Sequence, residues 1–386
     1  MLTDTDREEL VSRGYTRRQL GRVAAMLSGG AVASAFGGSA ALAQSMAARG
    51  VPGAVRIGAN ECWTGPFPVA AAAAAEAIAQ GNRYDPTDLR GALIATVAKV
   101  EGLPEDHILA WPGSGDPLAR SVVSFCSPSR GLVTADPTFE AAWRVAAWLD
   151  APLAKAPLTP GQGSTGRALL GANPNAGLYY VCTPNNPTGT VTPLAEIEWL
   201  VANKPADSVV LVDEAYIHFA DVPSAIRLAA TRRDVIVMRT FSKLFGMAGM
   251  RLGLTFAHPE LHKRMMRYDG MQVTGTLPVT AMACGAAAYP RADLIRERRQ
   301  QMIAAREETL DHLRRRGVAF HGGSQANMFM LDWRTRDAAA MQKALLDRKI
   351  QIGRSWPIWP SVSRVTVGSN ADMAAFRTAL DGVLAA

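Results

Sequence analysis

Apolar positions recur at helical spacing over two early stretches of the chain. Residues 69–80 are alanine-rich, and residues 89–101 set Leu89, Leu93, Val97 and Val100 along one face, with Gly81 and Gly102 closing the two helices. An irregular Pro/Gly segment at 50–68 precedes them. Downstream the pattern changes. Short apolar runs at 131–134, 178–182, 208–212, 235–239 and 252–256 alternate with helical stretches. A run of that length with no polar face reads as a strand buried on both sides, and such strands separated by helices build a mostly parallel sheet with helices on both faces.

A long charged helix is expected from 289 to 316, followed by strands at 326–333, 350–352 and 364–367 and a closing helix at 371–384. These belong to a second, smaller unit. The chain is therefore expected to be an α/β protein with a large domain over 81–270, built on a mostly parallel sheet, and a smaller α/β domain formed by 44–80 and 271–386. No repeat or low-complexity linker separates the two, so they should pack tightly.

The N-terminal 43 residues read differently. Arg17 and Arg18, in Thr16-Arg17-Arg18-Gln19-Leu20, precede an uncharged Ala/Gly-rich stretch at 23–43, and Ala41-Leu42-Ala43 offers the small residues that a signal peptidase cuts after, before Gln44. This order resembles a twin-arginine export signal, with Leu20 and Gly21 where a bulkier apolar pair is usual. It implies a periplasmic or exported protein. An uncleaved membrane anchor or a cytoplasmic protein are the alternatives, and the glycines and serines of the stretch weaken the anchor. The membrane is otherwise expected only as the export machinery.

Composition narrows the rest. With 48% hydrophobic and 19% charged residues, the chain has the balance of a folded globular protein. The net charge of +7 is scattered, with no aromatic-interleaved basic stripe, so nucleic acid is not an expected partner, and acidic small molecules fit better. Cys62, Cys126, Cys182 and Cys284 form no C-x-x-C pair, and His258 and His262 lack the zincin order, so no metal site is expected.

Candidate chemistry falls on the segments that follow the apolar strands, where open α/β sheets place ligands. Asp213 ends the run Val209-Val210-Leu211-Val212, and a carboxylate buried there needs a cation or backbone amides to offset its desolvation. Lys243, in Thr240-Phe241-Ser242-Lys243, leads into a glycine-rich turn that carries Arg251. A lysine in a dry, cation-lined site loses its proton readily and becomes a nucleophile. Ser242 and Arg251 suit a phosphate. Pro184-Asn185-Asn186-Pro187 is a turn by composition, and Gly113-Ser114-Gly115-Asp116-Pro117 opens a helix, with Pro117 expected at its first position, as either a phosphate cradle or a plain cap.

In this order the segments resemble the fold-type I pyridoxal-phosphate aminotransferases of class I/II, most closely the histidinol-phosphate aminotransferase branch, over most of the chain from Asn60 to Gly368. The resemblance implies the aspartate-aminotransferase fold and pyridoxal 5'-phosphate as cofactor. Lys243 is then the Schiff-base lysine and proton shuttle, Asp213 faces the ring nitrogen, and Asn186 and Tyr216 bond the phenolic oxygen. Ser242, Arg251 and the amides of Ser114 and Gly115 hold the phosphate, Phe139 stacks on the ring, and Tyr84 reaches the phosphate of a neighbouring subunit in a homodimer.

At the substrate the resemblance places Arg364, in Ser363-Arg364-Val365-Thr366-Val367-Gly368, as the grip on the carboxylate; a strand-edge ion pair is the plainer alternative. Asn60 and Arg354 are expected beside it. Two departures stand out. Asn60-Glu61-Cys62-Trp63 replaces the usual Asn-Glu-Asn-Pro, and Phe139 replaces a tyrosine. The tryptophans near Arg354 point to a bulky, aromatic or anionic side chain, or to simple packing. The implied reaction moves an amino group from an amino acid, or a histidinol-phosphate-like amine, to a 2-oxo acid. Decarboxylation or oxidation on the same fold is the alternative, and a non-catalytic binding protein would not be expected to keep Lys243, Asp213 and Arg251.

Overall fold

The computed structural model describes residues 2–27, 50–269 and 276–385. Among the described residues, twelve strands form three sheets: β1 Val55–Ile57, β2 Ile108–Trp111, β3 Leu132–Asp136, β4 Leu153–Pro157, β5 Leu178–Cys182, β6 Val209–Asp213, β7 Val235–Thr240, β8 Gly253–Ala257, β9 Ala319–His321, β10 Met328–Asp332, β11 Ile350–Ile352 and β12 Val362–Thr366. The largest sheet has seven strands in the order β2-β8-β7-β6-β5-β3-β4. Its strands β4, β3, β5, β6 and β7 are parallel, while β8 runs against both β7 and β2. This is the aspartate-aminotransferase-like α/β fold.

The reversal at β8 has a simple cause. Residues 241–252 link β7 to β8 with only the short 3-10 turn Ala248–Met250 and no α-helix to cross the sheet, and a parallel return needs such a crossover. The link instead turns at the sheet's edge, closed by the Phe241 amide donating to the Leu252 carbonyl at 3.0 Å. Lys243 and Arg251 therefore sit on one tight loop.

Helices cover both faces of this sheet. Gly115–Phe125, Ala141–Trp148 and Pro259–Met266 pack on one, with Val122, Val145 and Met265 in a cluster with Leu211 and Met238. On the other, Val212 and Val237 meet Leu93, Ile197 and Met282. The two smaller sheets, β12-β10-β9 and β1-β11, draw on residues 55–57 and 319–366. Helices Pro68–Ile78 and Val279–Ala288 lie in a cluster that includes residues of the large sheet and of both small ones. Gly285 lets the Val279–Ala288 helix pack close on the loop before β8, because a Cβ there would stand 2.4 Å from Leu252 Cδ2.

Other expectations need adjusting. The charged helix begins at Ala292 rather than 289, since Pro290 lacks the amide that would continue the preceding helix. Pro117 is the third residue of Gly115–Phe125, not the first, and it is tolerated there because first-turn amides have no partner within the helix.

Residues 2–27 are folded onto the large unit as helices Asp4–Ser12 and Arg17–Leu27. Leu10, Tyr15 and Val23 are buried against the Gly115–Phe125 and Pro259–Met266 helices. The Arg13 guanidinium donates to the carbonyls of Val123 at 3.0 Å and Cys126 at 2.6 Å, and the Tyr15 hydroxyl donates to that of Cys126 at 2.8 Å. Arg17 and Arg18 stay exposed. The uncharged stretch beyond residue 27 and the expected cut before Gln44 lie outside the described residues. Among the described residues no helix is long and apolar enough to cross a membrane.

Candidate active site

Strands β2, β3, β5, β6 and β7 point their C-terminal ends to one edge, and the segments leaving them line a single cavity. Ser114 and Gly115 come after β2, Phe139 after β3, Asn186 after β5, Asp213 ends β6, and Ser242, Lys243 and Arg251 come after β7. Asn60, which follows β1, and Arg364 on β12 close the cavity from the small sheets. Tyr216 completes the wall.

At the floor, Asp213 is buried beside Tyr180, whose hydroxyl donates to Asp213 Oδ2 at 2.8 Å, while Oδ1 accepts from the Ala215 amide at 3.0 Å. Burial raises the Asp213 carboxyl above its usual range, against the opposing pull of Tyr180 and Lys243. The Lys243 ammonium donates to the Asn60 carbonyl at 3.1 Å and stands 5.4 Å from the Tyr216 ring centroid. Burial, helped by Arg364 and Arg251, lowers it to about 8. A lysine so placed is largely neutral in mildly alkaline solution and nucleophilic there.

A polar cluster ties this floor to the small sheets. Asn60 Nδ2 donates to the Tyr216 oxygen at 3.1 Å and to Asn186 Oδ1 at 3.3 Å, and Arg364 Nη1 donates to the same Asn186 oxygen at 2.8 Å. The second arm of Arg364 binds the Gly58 carbonyl, while its buried Nε has no hydrogen-bond partner among the described residues. A planar dianionic or carboxylate group at Arg364 would meet a fork already held in place.

The opposite end is built for an anion. Arg251 Nη1 lies 3.3 Å from Ser242 Oγ, and its guanidinium rests in a notch over Gly113. A Cβ on Gly113, whose φ is +89°, would fall 2.2 Å from Arg251 Nη2. Gly253 is equally constrained, because its Cβ would stand 2.8 Å from the Ser114 amide nitrogen. Gly249, in the same turn, is under no such constraint, since nothing lies within 4 Å of a Cβ there among the described residues.

Thus Lys243, Asp213, Tyr216, Asn60, Asn186, Phe139, Ser114, Gly115, Ser242, Arg251 and Arg364 gather at one place. Two expected residues do not. Tyr84 is 88% exposed and does not line the cavity of its own chain. Arg354 lines an adjoining chamber, where it is ion-paired with Glu140. Tyr180 was not anticipated, although a phenol inside an otherwise apolar strand must find a buried partner, and that was the available signal. Glu140 and Arg144 carried no signal of their own.

Residues 52–382 match the model of the family described as aminotransferase class I and II. The chain belongs to that family. Among its relatives, an aromatic amino acid aminotransferase from Rhodococcus jostii is 33% identical over 68% of this chain and 73% of that protein. A histidinol-phosphate aminotransferase from Symbiobacterium thermophilum is 32% identical over 86% and 90%. In fold, the histidinol-phosphate aminotransferase of Sinorhizobium meliloti, solved in complex with pyridoxal-5'-phosphate, superposes with a TM-score of 0.76 over 85% of this chain and 90% of that one, at 24% identity.

The protein is a pyridoxal-phosphate-dependent transaminase, and the cavity fits that cofactor. A buried carboxyl whose charge is costly awaits a cation at one end, a serine–arginine notch awaits an anion at the other, and an amine of lowered proton affinity stands between. Because only the neutral amine attacks an aldehyde, covalent capture of pyridoxal phosphate by apoenzyme should quicken as pH rises and level off above about 8. Stopped-flow absorbance reads this directly; a rise continuing to the ordinary lysine range near ~10.4 would contradict the lowered value.

Proposed function

We propose that this transaminase takes the amino group of an amino acid with a bulky, planar side chain and gives it to a 2-oxo acid, with Lys243 as its covalent and proton-moving lysine. The observation that supports this reading is that Lys243, Asp213, Arg251 and Arg364 line one cavity. The cofactor, when bound, supplies an aldehyde and a ring that takes up the electron pair left at the substrate's Cα. Asp213 holds a proton on the ring nitrogen, where its buried charge is then offset. Ser242, Arg251 and the Ser114 and Gly115 amides hold the phosphate, Asn186 and Tyr216 the phenolic oxygen, and Phe139 one ring face. Arg364 orients the substrate by its carboxylate, and Lys243 Nζ removes the Cα proton. Incubation with a panel of amino acids and 2-oxo acids should yield the matching oxo acid and new amino acid. Release of carbon dioxide or hydrogen peroxide instead would overturn transamination.

Two further readings accompany it. A homodimer would give the exposed Tyr84 a partner's phosphate to reach, and light scattering at one chain's mass would exclude it. Export is supported by the exposed Arg17–Arg18 pair ahead of an uncharged stretch. Replacing both arginines by lysine should retain the enzyme in the cytoplasm, and unchanged export would refute that route.

A further inference from the structure

Tyr180 lies on β5, and the parallel register with β6 sets it opposite Leu211 and sets Cys182 opposite Asp213. It therefore starts two residues short of the acid, about 6.6 Å along the strand, and only a long side chain covers that gap. Its hydroxyl donates to Asp213 Oδ2 at 2.8 Å. Both residues are buried, and Tyr180 stands behind Asp213 rather than in the cavity wall. Among the described residues it is the only side chain that hydrogen-bonds this carboxyl; the other bond comes from the Ala215 amide, to Oδ1.

Asp213 and the cofactor's ring nitrogen compete for one proton. Burial favours the neutral carboxyl, and so works against leaving that proton on the ring. A hydrogen bond donated to the carboxylate works the other way, because it stabilises the charged form. Lys243 also favours charge on Asp213, but burial lowers this lysine to about 8, so its own charge fades in mildly alkaline solution. Tyr180 is the constant donor. Burial first, and then Asp213 itself, push its ionisation well above the usual range, so its one proton stays in place. With a single donor on each oxygen, the carboxylate keeps lone pairs for a third partner arriving from the cavity.

We propose that Tyr180 is a positioning residue for transamination: by donating its hydroxyl proton to Asp213 it keeps that carboxylate charged and fixed in place, so that the proton between acid and cofactor stays on the ring nitrogen. This rests on the reading of Asp213 as the partner of that nitrogen. The ring takes up the electron pair of the substrate's Cα best when so protonated, which makes the buried phenol matter to turnover without touching cofactor or substrate.

The test is NMR of the ring nitrogen in holoenzyme reconstituted with isotope-labelled pyridoxal phosphate. Wild type should give the signal of a protonated pyridine. Tyr180→Phe keeps the buried ring and removes the donor, and its signal should move toward that of an unprotonated pyridine. Its kcat should fall by about tenfold or more, the worth of one hydrogen bond to a charged group, while KM for the amino donor holds. A Tyr180→Phe signal that stays at the wild-type position overturns the proposal, whatever kcat does, since a merely structural tyrosine would leave the ring proton alone. Should that variant not fold, 4-fluorophenylalanine in place of Tyr180 fills the oxygen's space without a proton and decides by the same signal. Failure of the underlying reading looks different: Asp213→Asn would then leave the ring signal where wild type has it.

Discussion

Lys243→Ala yields a folded protein whose turnover with its best amino donor falls by about 10⁴-fold or more, the upper end of what a positioned proton carrier contributes. The reason is local. Lys243 is the amine that the cavity brings beside Asp213, Asn60 and Arg364, and the alanine variant has nothing there to carry the Cα proton. Stability should hardly change, because removing a partly buried lysine whose proton affinity burial already lowers relieves a cost rather than adding one. The variant should also lose pyridoxal phosphate on dialysis. Retained turnover with intact thermal stability would place the chemistry elsewhere.

Arg239→Met should produce the largest loss of stability. Arg239 lies on β7 and points to the face of the sheet opposite Asp213, into a buried ionic knot. Its Nε donates to Glu214 at 3.0 Å, and its Nη1 to Glu101 at 2.6 Å and to the Tyr289 hydroxyl at 2.8 Å. The third nitrogen donates to Ser224 at 2.8 Å. Methionine keeps the volume and removes the charge, which leaves Glu214 and Glu101 without their cation. Breaking such a pair from one side costs about 3–5 kcal/mol. A melting temperature lower by roughly 5–10 °C is expected for a chain of this size. Replacing Glu214 by glutamine as well should restore part of it. A variant that melts like wild type would show that the knot contributes little net stability.

The centre of the sheet was legible because its strands are buried on both faces and write unbroken apolar runs. Its edges were not. β2 and β4 are the two outer strands, one only four residues long and the other carrying Lys155 and Pro157 toward solvent, so neither leaves a clean pattern. The direction of β8 depends on the link before it forming a turn and no crossover helix. The site divides along similar lines. Asp213 and Lys243 stand directly at strand ends, and the local sequence identifies them. Tyr180 and Glu140 acquire their roles from partners 33 and more than 200 positions away, and spacing along the chain cannot reveal such meetings. Phe139 shows the intermediate case: it occupies the expected place without the hydroxyl, and it separates the two chambers by lining both.

The claim on which the rest stands is that one lysine forms the bond to pyridoxal phosphate. Reducing the holoenzyme with borohydride fixes that bond, and tryptic digestion followed by mass spectrometry locates it. Because a modified lysine resists trypsin, the added mass should appear on the uncut peptide 240–251, which contains Lys243 between the cuts after Arg239 and Arg251. The mass on any other lysine, or on none, would contradict the account.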